Sequence, residues 1–173
     1  MLFDKITIIG IGLIGSSLAR VIMKKGLAGK LCAYDKNPEY LAEAGELGIV
    51  DEISDDLGKA VENADLVVYA TPVGAYGEIT RQIVPYLKKG AILTDVGSIK
   101  KYSIREIEKN LPEDAEVVVV PGHPVAGTEK SGPANGFDTL FEGRWYIVTP
   151  SFRSTEEAVA KVSELWAAAR MKG

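Results

Sequence analysis

Short runs of valine, isoleucine and leucine alternate along the chain with longer segments in which apolar residues recur at helical spacing. Six runs have the continuous apolar character of strands buried on both faces of a sheet, and a weaker one spans residues 49–53. The six predicted strands are residues 5–10, 30–35, 65–71, 91–96, 116–121 and 144–149. The predicted surface helices are residues 13–25, 38–47, 55–63, 75–88 and 102–110, and Pro85 is expected to bend the fourth or end it early. This alternation predicts an α/β fold with a doubly wound, mainly parallel sheet and helices on both faces.

The chain is expected to divide at residue 150. No internal repeat, low-complexity tract or linker precedes that point, so residues 1–150 are predicted to form one domain. Its longest irregular stretch, residues 122–136, follows a predicted strand, and a loop of that length is more often functional than idle. Residues 155–171 predict a helix with Ser154 as its cap.

Composition narrows the classes of function. The chain has 173 residues, 46% of them apolar, which is enough for a buried core and excludes intrinsic disorder. A formal net charge of -4 argues against binding to nucleic acid or an anionic membrane, because both need a basic face. The single cysteine, Cys32, cannot form an internal disulfide, and one histidine with one cysteine does not make a metal site. With no leader peptide and no apolar run long enough to span a bilayer, the sequence predicts a soluble cytosolic protein.

A glycine motif follows the first predicted strand and opens the first predicted helix. Gly10, Gly12 and Gly15 have the GxGxxG spacing, with Leu13 and Ile14 between the last two. In this context the first glycine permits a tight turn, the second lets a pyrophosphate approach the backbone, and the third lets helix and strand pack closely. The amide groups of the helix N-terminus favour the phosphate charge. The motif predicts a Rossmann-type dinucleotide-binding domain, and the alternative is a glycine turn that merely joins strand to helix.

Further candidates for cofactor binding follow the second and third strong strands. Asp35 lies about twenty residues after the glycine motif, where a carboxylate accepts hydrogen bonds from the adenosine ribose and repels a 2′-phosphate. It therefore favours NAD over NADP, although Lys36 softens that preference, and the alternative is a solvated acid in a turn. Thr71, Pro72 and Val73 lie at another strand end and are expected to border the same cofactor.

Two polar residues at later strand ends are candidates for catalysis. Ser98 is expected to reach the space where nicotinamide and substrate meet, and the alternative on the same spacing is that it only caps the next helix. His123, the only histidine, lies at the start of the long loop. A dehydrogenase that takes a hydride from a carbinol carbon must also take the hydroxyl proton, and the ordinary pKa of imidazole suits this near neutral pH. Hydrolysis is poorly supported, because the serines of the first helix lie in no GxSxG turn and the cysteine lies mid-strand.

Three segments together resemble the prephenate/arogenate (cyclohexadienyl) dehydrogenases of tyrosine biosynthesis. They are residues 10–19 (GIGLIGSSLA), 95–100 (DVGSIK) and 122–132 (GHPVAGTEKSG). The last two in combination are specific to that family, and the resemblance extends over essentially the whole chain. It implies an oxidative decarboxylation: a hydride passes from the hydroxyl-bearing ring carbon to NAD, the ring carboxylate leaves as carbon dioxide, and the ring becomes aromatic.

The resemblance also implies roles for single residues. His123 would accept the proton of the substrate hydroxyl, and Ser98 would hydrogen-bond to the substrate or to His123. Thr128 and Glu129 match positions near the substrate side chain. The cofactor-binding positions that it implies are Gly10, Gly12, Leu13, Ile14, Gly15, Asp35, Thr71, Pro72 and Val73.

Members of that family continue into an all-helical domain that forms a homodimer, and residues 151–173 would lead toward it. The chain is then expected to be the cofactor domain, with exposed apolar surface at Leu165, Trp166 and Met171 where the helical domain is absent. Two alternatives remain open. One is another Rossmann dehydrogenase, of the β-hydroxyacid or imino-acid type. The other is a non-catalytic module that senses NAD, which gives the candidate catalytic residues no task.

Overall fold

Six parallel strands form the central sheet of the computed structural model, which describes residues 1–126 and 131–173. The strands are β1 (Phe3–Ile9), β2 (Ala28–Tyr34), β3 (Glu52–Ile53), β4 (Leu66–Tyr69), β5 (Ile92–Asp95) and β6 (Val118–Val120). Their spatial order is β3-β2-β1-β4-β5-β6, so the chain builds outward from β1 in one direction and then from β4 in the other. This is the predicted doubly wound, parallel sheet, and all of its carboxyl ends lie at one edge.

Helices cover both faces of this sheet, as the sequence predicts. They are α1 (Leu13–Lys25), α2 (Pro38–Glu46), α3 (Leu57–Val61), α4 (Tyr76–Ile83), α5 (Lys100–Glu108) and α6 (Glu156–Ala168). One apolar core lies under α1, α2 and α6, and a second lies under α3, α4 and α5. Adjacent residues of β1 enter different cores, Ile8 the first and Ile9 the second, because successive side chains of a strand point to opposite faces.

The predicted strand at residues 144–149 is not part of the parallel sheet, and that expectation was wrong. It forms β8 (Tyr146–Val148), which pairs antiparallel with β7 (Gly122–Pro124) in a separate two-stranded sheet. Only one face of β8 is covered, since Tyr146 is buried whereas Ile147 is 49% exposed. Its short apolar run therefore resembles a doubly buried strand in composition without being one.

The C-terminal helix packs into the core, so the expected exposure of its apolar residues was also wrong. Leu165, Trp166 and Met171 are all buried. The Trp166 ring stacks on Tyr146 with centroids 4.9 Å apart and meets Phe141 edge-on at 5.1 Å. Residues beyond 150 thus belong to the same apolar core as β1 and α1.

The cap of α6 differs from its prediction, whereas the end of α4 agrees with it. Helix α6 is capped by Thr155, whose Oγ1 accepts from the Ala158 N–H at 3.1 Å, whereas the predicted cap, Ser154, donates to the Val119 carbonyl at 2.6 Å. Helix α4 ends at Ile83 and a 3₁₀ turn containing Pro85 follows it, which confirms the predicted early end.

Asp65 lies at the amino edge of the sheet, where its carboxylate joins two parts of the chain. Its ionisation makes the stability of the fold depend on pH. Its carboxylate accepts a hydrogen bond from Lys88 and another from the Lys5 backbone N–H at 2.9 Å. Burial opposes ionisation of Asp65, but these bonds outweigh it and hold the pKa of the carboxyl below its ordinary value. A lowered pKa stabilises the fold above the unfolded pKa, and this contribution disappears as the pH falls through the folded pKa.

Replacing Asp65 with asparagine is therefore expected to lower the free energy of unfolding at pH 7 by about 1 kcal/mol, because partial exposure screens the pair. The deficit relative to the unmodified chain should begin to shrink as the pH falls below about 4, the ordinary pKa of an unfolded aspartate, and should vanish once the pH is below the lowered pKa of the folded state. Urea denaturation at pH 7 and at a series of acidic pH values measures this difference. The exposed Asp114 provides a matched Asp114→Asn control, and an equal pH response in both variants would contradict the assignment.

Candidate functional site

A cavity of about 730 Å³ opens at the carboxyl edge of the sheet, between the ends of β1, β2 and β4. We call it the carboxyl-edge cavity. Five residues predicted to bind a cofactor line it: Gly10, Gly12, Asp35, Thr71 and Pro72. The wall also includes residues that the sequence did not single out, namely Tyr34, Tyr40, Leu57, Gly74, Ala75, Glu78, Ile79 and Gln82. A cavity of about 530 Å³ lies at the opposite edge and contains none of the predicted site residues.

The three glycines of the motif have different geometric reasons to be glycine. Gly10 has a φ of +101°, and a Cβ there would lie 2.5 Å from the Ala70 carbonyl oxygen. A Cβ on Gly15 would lie 1.9 Å from the Gly10 carbonyl oxygen. At Gly12 a Cβ would meet no protein atom within 4 Å, so the described structure itself does not require glycine at this position. Gly12 lies on the cavity wall, where the missing side chain leaves room for a ligand.

The start of α1 has the character of an anion site. Its N-cap is Gly12, no side chain forms a capping hydrogen bond, and the first turn carries no acidic residue. The first N–H groups of a helix have no partners within it, so here they are available to a ligand that brings acceptor oxygens. Leu13, Ile14 and Gly15 form this first turn. The helix start therefore fits the pyrophosphate of a dinucleotide.

Asp35 joins the glycine loop to the end of β2. Its Oδ2 accepts from the Ile11 N–H at 2.8 Å, and its Oδ1 accepts from the Asn37 N–H at 2.8 Å. Each carboxylate oxygen has further acceptor capacity, and the residue lines the cavity beside Gly12. Asp35 is thus fixed where it can accept hydrogen bonds from a ribose. Val73, by contrast, packs against Gly97 and does not line the cavity wall.

A buried carboxylate organises the neighbouring strand ends. Asp95, the last residue of β5, is fully buried, and its Oδ2 accepts from the Tyr76 hydroxyl and the Gly97 N–H, both at 3.1 Å, and from the Lys100 Nζ. Its Oδ1 accepts from the Gly122 N–H at 3.1 Å. The Lys100 Nζ also donates to the Gly122 carbonyl at 2.6 Å, which closes a ring of contacts.

Burial in this cluster controls its protonation. Desolvation raises the pKa of the Tyr76 phenol, and the nearby Asp95 charge raises it further, so Tyr76 remains a hydrogen-bond donor. Burial lowers the pKa of the Lys100 ammonium, and Asp95 opposes that shift. The cluster thus consists of one acceptor carboxylate and four donors, which come from α4, α5, β7 and the turn after β5.

Each of the two candidate catalytic residues directly follows a glycine whose N–H donates to Asp95. Ser98 comes after Gly97, and His123 comes after Gly122, so one carboxylate ties both to the same strand end. Ser98 is exposed, and helix α5 has Ile99 as its N-cap with no side-chain capping bond. The alternative that Ser98 serves only as a helix cap is therefore wrong.

His123 stands on the exposed face of the small β7–β8 sheet. It lies opposite Ile147, and the Val125 N–H donates to the Trp145 carbonyl at 2.8 Å. Alternation along the two strands places these four side chains on one face, whose three apolar members are 43% to 58% exposed. The His123 ring is itself only partly buried, and its Nδ1 has no hydrogen-bond partner among the described residues. An imidazole next to an uncovered apolar surface is suited to a substrate with a hydrophobic ring.

Two of the predicted site residues, Thr128 and Glu129, lie outside the described residues. Within residues 1–126 and 131–173, no group of three or more His, Cys, Asp or Glu side chains is placed to hold a metal ion. In that same part of the chain no helix has the length and apolar character needed to cross a membrane. Cys32 is buried, and burial raises the pKa of its thiol to about 12, which keeps it protonated and unreactive.

Asp95 and Lys100 are two further site residues that the sequence did not single out. Both lie in the DVGSIK segment, but only its serine was assigned a role. An acidic residue at the end of an apolar strand, followed five residues later by a lysine, was the available signal. It could not identify Gly122 as the third partner, because that contact spans 27 residues.

Comparisons with known proteins show the family to which the chain belongs. The chain matches the family model of the prephenate dehydrogenase nucleotide-binding domain over residues 18–172. It is 39% identical over 164 residues to the cyclohexadienyl dehydrogenase of Zymomonas mobilis, which covers 95% of this chain and 55% of that protein.

Two solved structures give the same result. Prephenate dehydrogenase of A. aeolicus, in complex with hydroxyphenyl propionate and NAD+, matches with a TM-score of 0.87 at 32% identity, over 98% of this chain and 58% of that one. Synechocystis arogenate dehydrogenase matches with a TM-score of 0.87 at 27% identity, over 97% and 58%. The chain therefore spans a little over half the length of these proteins.

Proposed function

The chain belongs to the prephenate dehydrogenase family, whose nucleotide-binding domain it contains, and we propose that it binds NAD and supplies the proton acceptor for oxidative decarboxylation of prephenate or arogenate. The observation that carries the proposal is the position of His123. The only histidine of the chain lies at the carboxyl edge of the sheet, directly after Gly122, whose N–H donates to the buried Asp95. That edge also contains the glycine loop and the cavity.

The residues of the carboxyl-edge cavity fit NAD. The open space at Gly12 and the uncapped start of α1 fit the pyrophosphate, and the carboxylate of Asp35 fits the adenosine ribose. Thr71 and Pro72 would border the cofactor from the end of β4. Since a second negative charge beside Asp35 would be repelled, the site favours NAD over NADP. Bound there, NAD would supply the hydride acceptor.

His123 then accepts the proton of the substrate hydroxyl group. When the hydroxyl-bearing ring carbon loses a hydride, its oxygen must lose a proton to become a carbonyl, and the imidazole accepts it. We propose that Ser98, which follows the Gly97 held by Asp95, hydrogen-bonds to the same oxygen or to His123. As carbon dioxide departs, the electrons of the breaking bond to the ring carboxylate pass through the ring to the carbonyl oxygen. The ring becomes aromatic, and the resulting phenolate oxygen takes a proton back from the imidazolium. The uncovered face of Val125, Trp145 and Ile147 offers an apolar surface beside this reaction.

The whole enzyme is proposed to need more chain than is present here. The relatives are nearly twice as long, and we propose that their second half forms a helical dimerisation domain that covers the His123 face and binds the substrate carboxylates. On this proposal the complete protein is a cytoplasmic homodimer that acts in tyrosine biosynthesis. A non-catalytic NAD sensor would need only the cavity and leaves the position of His123 without a reason.

The proposal predicts that this chain binds NADH but turns over prephenate and arogenate poorly. Joining it to the second half of the Zymomonas mobilis cyclohexadienyl dehydrogenase, in place of the matched 164 residues, is expected to restore turnover. Fluorescence of bound NADH measures the first property, and NADH production at saturating NAD measures the second. Vigorous turnover by the isolated chain would contradict the need for a second domain, and absence of NADH binding would contradict the cofactor assignment.

A further inference from the structure

The buried pair of Asp95 and Lys100 bonds to the backbone of the glycines that precede the two candidate catalytic residues. Asp95 is fully buried, and the Lys100 side chain is only 14% exposed. A buried ion pair contributes little net stability, because desolvation offsets most of the attraction between the charges. The pair is therefore better explained by the geometry that it enforces than by the stability that it adds.

We infer that Asp95 and Lys100 are positioning residues that fix Ser98 and His123 relative to each other. This inference rests on the catalytic roles proposed for those two residues. The two carboxylate oxygens divide the task. Oδ2 holds the turn before Ser98 through the Gly97 N–H, and Oδ1 holds the strand before His123 through the Gly122 N–H.

Lys100 adds a second set of contacts. We call the Asp95–Lys100 pair, with its bonds to Gly97 and Gly122, the clamp. Its Nζ donates both to Asp95 and to the carbonyl of Gly122, so both polar groups of the Gly122 peptide backbone are held by one ion pair. Neither His123 nor Ser98 needs to touch the pair for its position to depend on it. An error of about 1 Å in such a position can lower a rate by about a hundredfold.

The surroundings leave little room for an alternative arrangement. A Cβ on Gly97 would lie 2.9 Å from the Tyr76 hydroxyl and 3.0 Å from the Asp95 Oδ2. A Cβ on Gly122 would lie 1.9 Å from the Tyr146 hydroxyl. The Gly97 backbone is thus pressed against two side chains of the cluster and the Gly122 backbone against Tyr146, so neither segment has room to shift toward them.

Two single variants separate the clamp from the rest of the fold. Asp95→Asn keeps one carbonyl oxygen, which can accept from the Gly97 or the Gly122 N–H but not in the paired way that a carboxylate does. Lys100→Met removes the bond to the Gly122 carbonyl and keeps most of the side-chain length. The matched controls are Asp65→Asn and Lys88→Met, because Asp65 also accepts from a lysine and a backbone N–H, at the opposite edge of the sheet.

The readout is the NMR spectrum of the His123 imidazole, which is unambiguous because the chain has one histidine. We expect the clamp variants to move or split its ¹H–¹⁵N signals while NADH affinity changes little, and the control variants to leave the signals in place. Unchanged imidazole signals in either folded clamp variant overturn the inference. If both single variants fail to fold, the double variant Asp95→Asn with Lys100→Met, which removes both charges together, decides it by the same criterion.

Activity distinguishes this inference from the proposed function. In the chimera with the Zymomonas mobilis second half, the clamp variants are expected to lower kcat by about ten- to a hundredfold with an unchanged KM for NAD. If His123→Asn kept full turnover, the proposed function would fail, yet the NMR comparison would still report whether the clamp positions the ring. If His123→Asn were inactive and the clamp variants kept full kcat, only the positioning inference would fail.

Discussion

Replacing His123 with asparagine is expected to lower the turnover of prephenate with NAD by roughly a hundred- to ten-thousand-fold, the contribution of a well-placed general base. Asparagine has a similar shape and can still donate a hydrogen bond, but it cannot take the hydroxyl proton. NADH affinity should be nearly unchanged, because His123 does not line the carboxyl-edge cavity. The chimera with the Zymomonas mobilis second half is the form in which kcat is measured.

Two measurements show whether lost turnover comes instead from unfolding or from weaker cofactor binding. The melting temperature and the NADH dissociation constant of the variant should match those of the unmodified protein, which shows that the fold and cofactor site persist. Leu47→Ala, which shortens an exposed apolar side chain outside both the cavity wall and the His123 face, is the control and should retain turnover. Turnover by His123→Asn at the unmodified level would remove His123 from the mechanism.

The parallel sheet and most of its helices could be predicted because the pattern is local. Parallel strands buried on both faces have continuous apolar sequences, and the glycine motif fixes which strand begins the fold. The errors arose where tertiary packing decides the outcome. Whether a three-residue run such as β8 joins the main sheet, and whether Trp166 faces the core, depends on partners distant in sequence.

The candidate site shows the same division. Gly10, Gly12 and Asp35 could be predicted to share a cavity, because the carboxyl ends of parallel strands meet at one edge. The clamp of Asp95 and Lys100 could not, because its third member is a peptide group of Gly122 with no side chain to mark it. A buried ion pair between strand end and helix start is visible only once both are placed in space.

Two alanine substitutions within the glycine motif are expected to have opposite effects on stability and binding. Gly15→Ala should lower the free energy of unfolding by about 3 kcal/mol, because its Cβ would lie 1.9 Å from the Gly10 carbonyl oxygen and the backbone must move. Gly12→Ala should change stability by less than about 1 kcal/mol, since its Cβ meets no protein atom within 4 Å. The same Cβ points into space proposed for the pyrophosphate, so NADH affinity should fall about tenfold or more.

Urea denaturation and NADH fluorescence titration, carried out on the same two variants, separate these effects. Each variant is the control for the other, because both add one methyl group to the same loop and helix start. A Gly12→Ala protein that is stable and binds NADH normally would show that the open space beside Gly12 is not the phosphate site. The cofactor would then have to be held elsewhere along the cavity wall, and the explanation of the uncapped α1 start as an anion site would lose its basis.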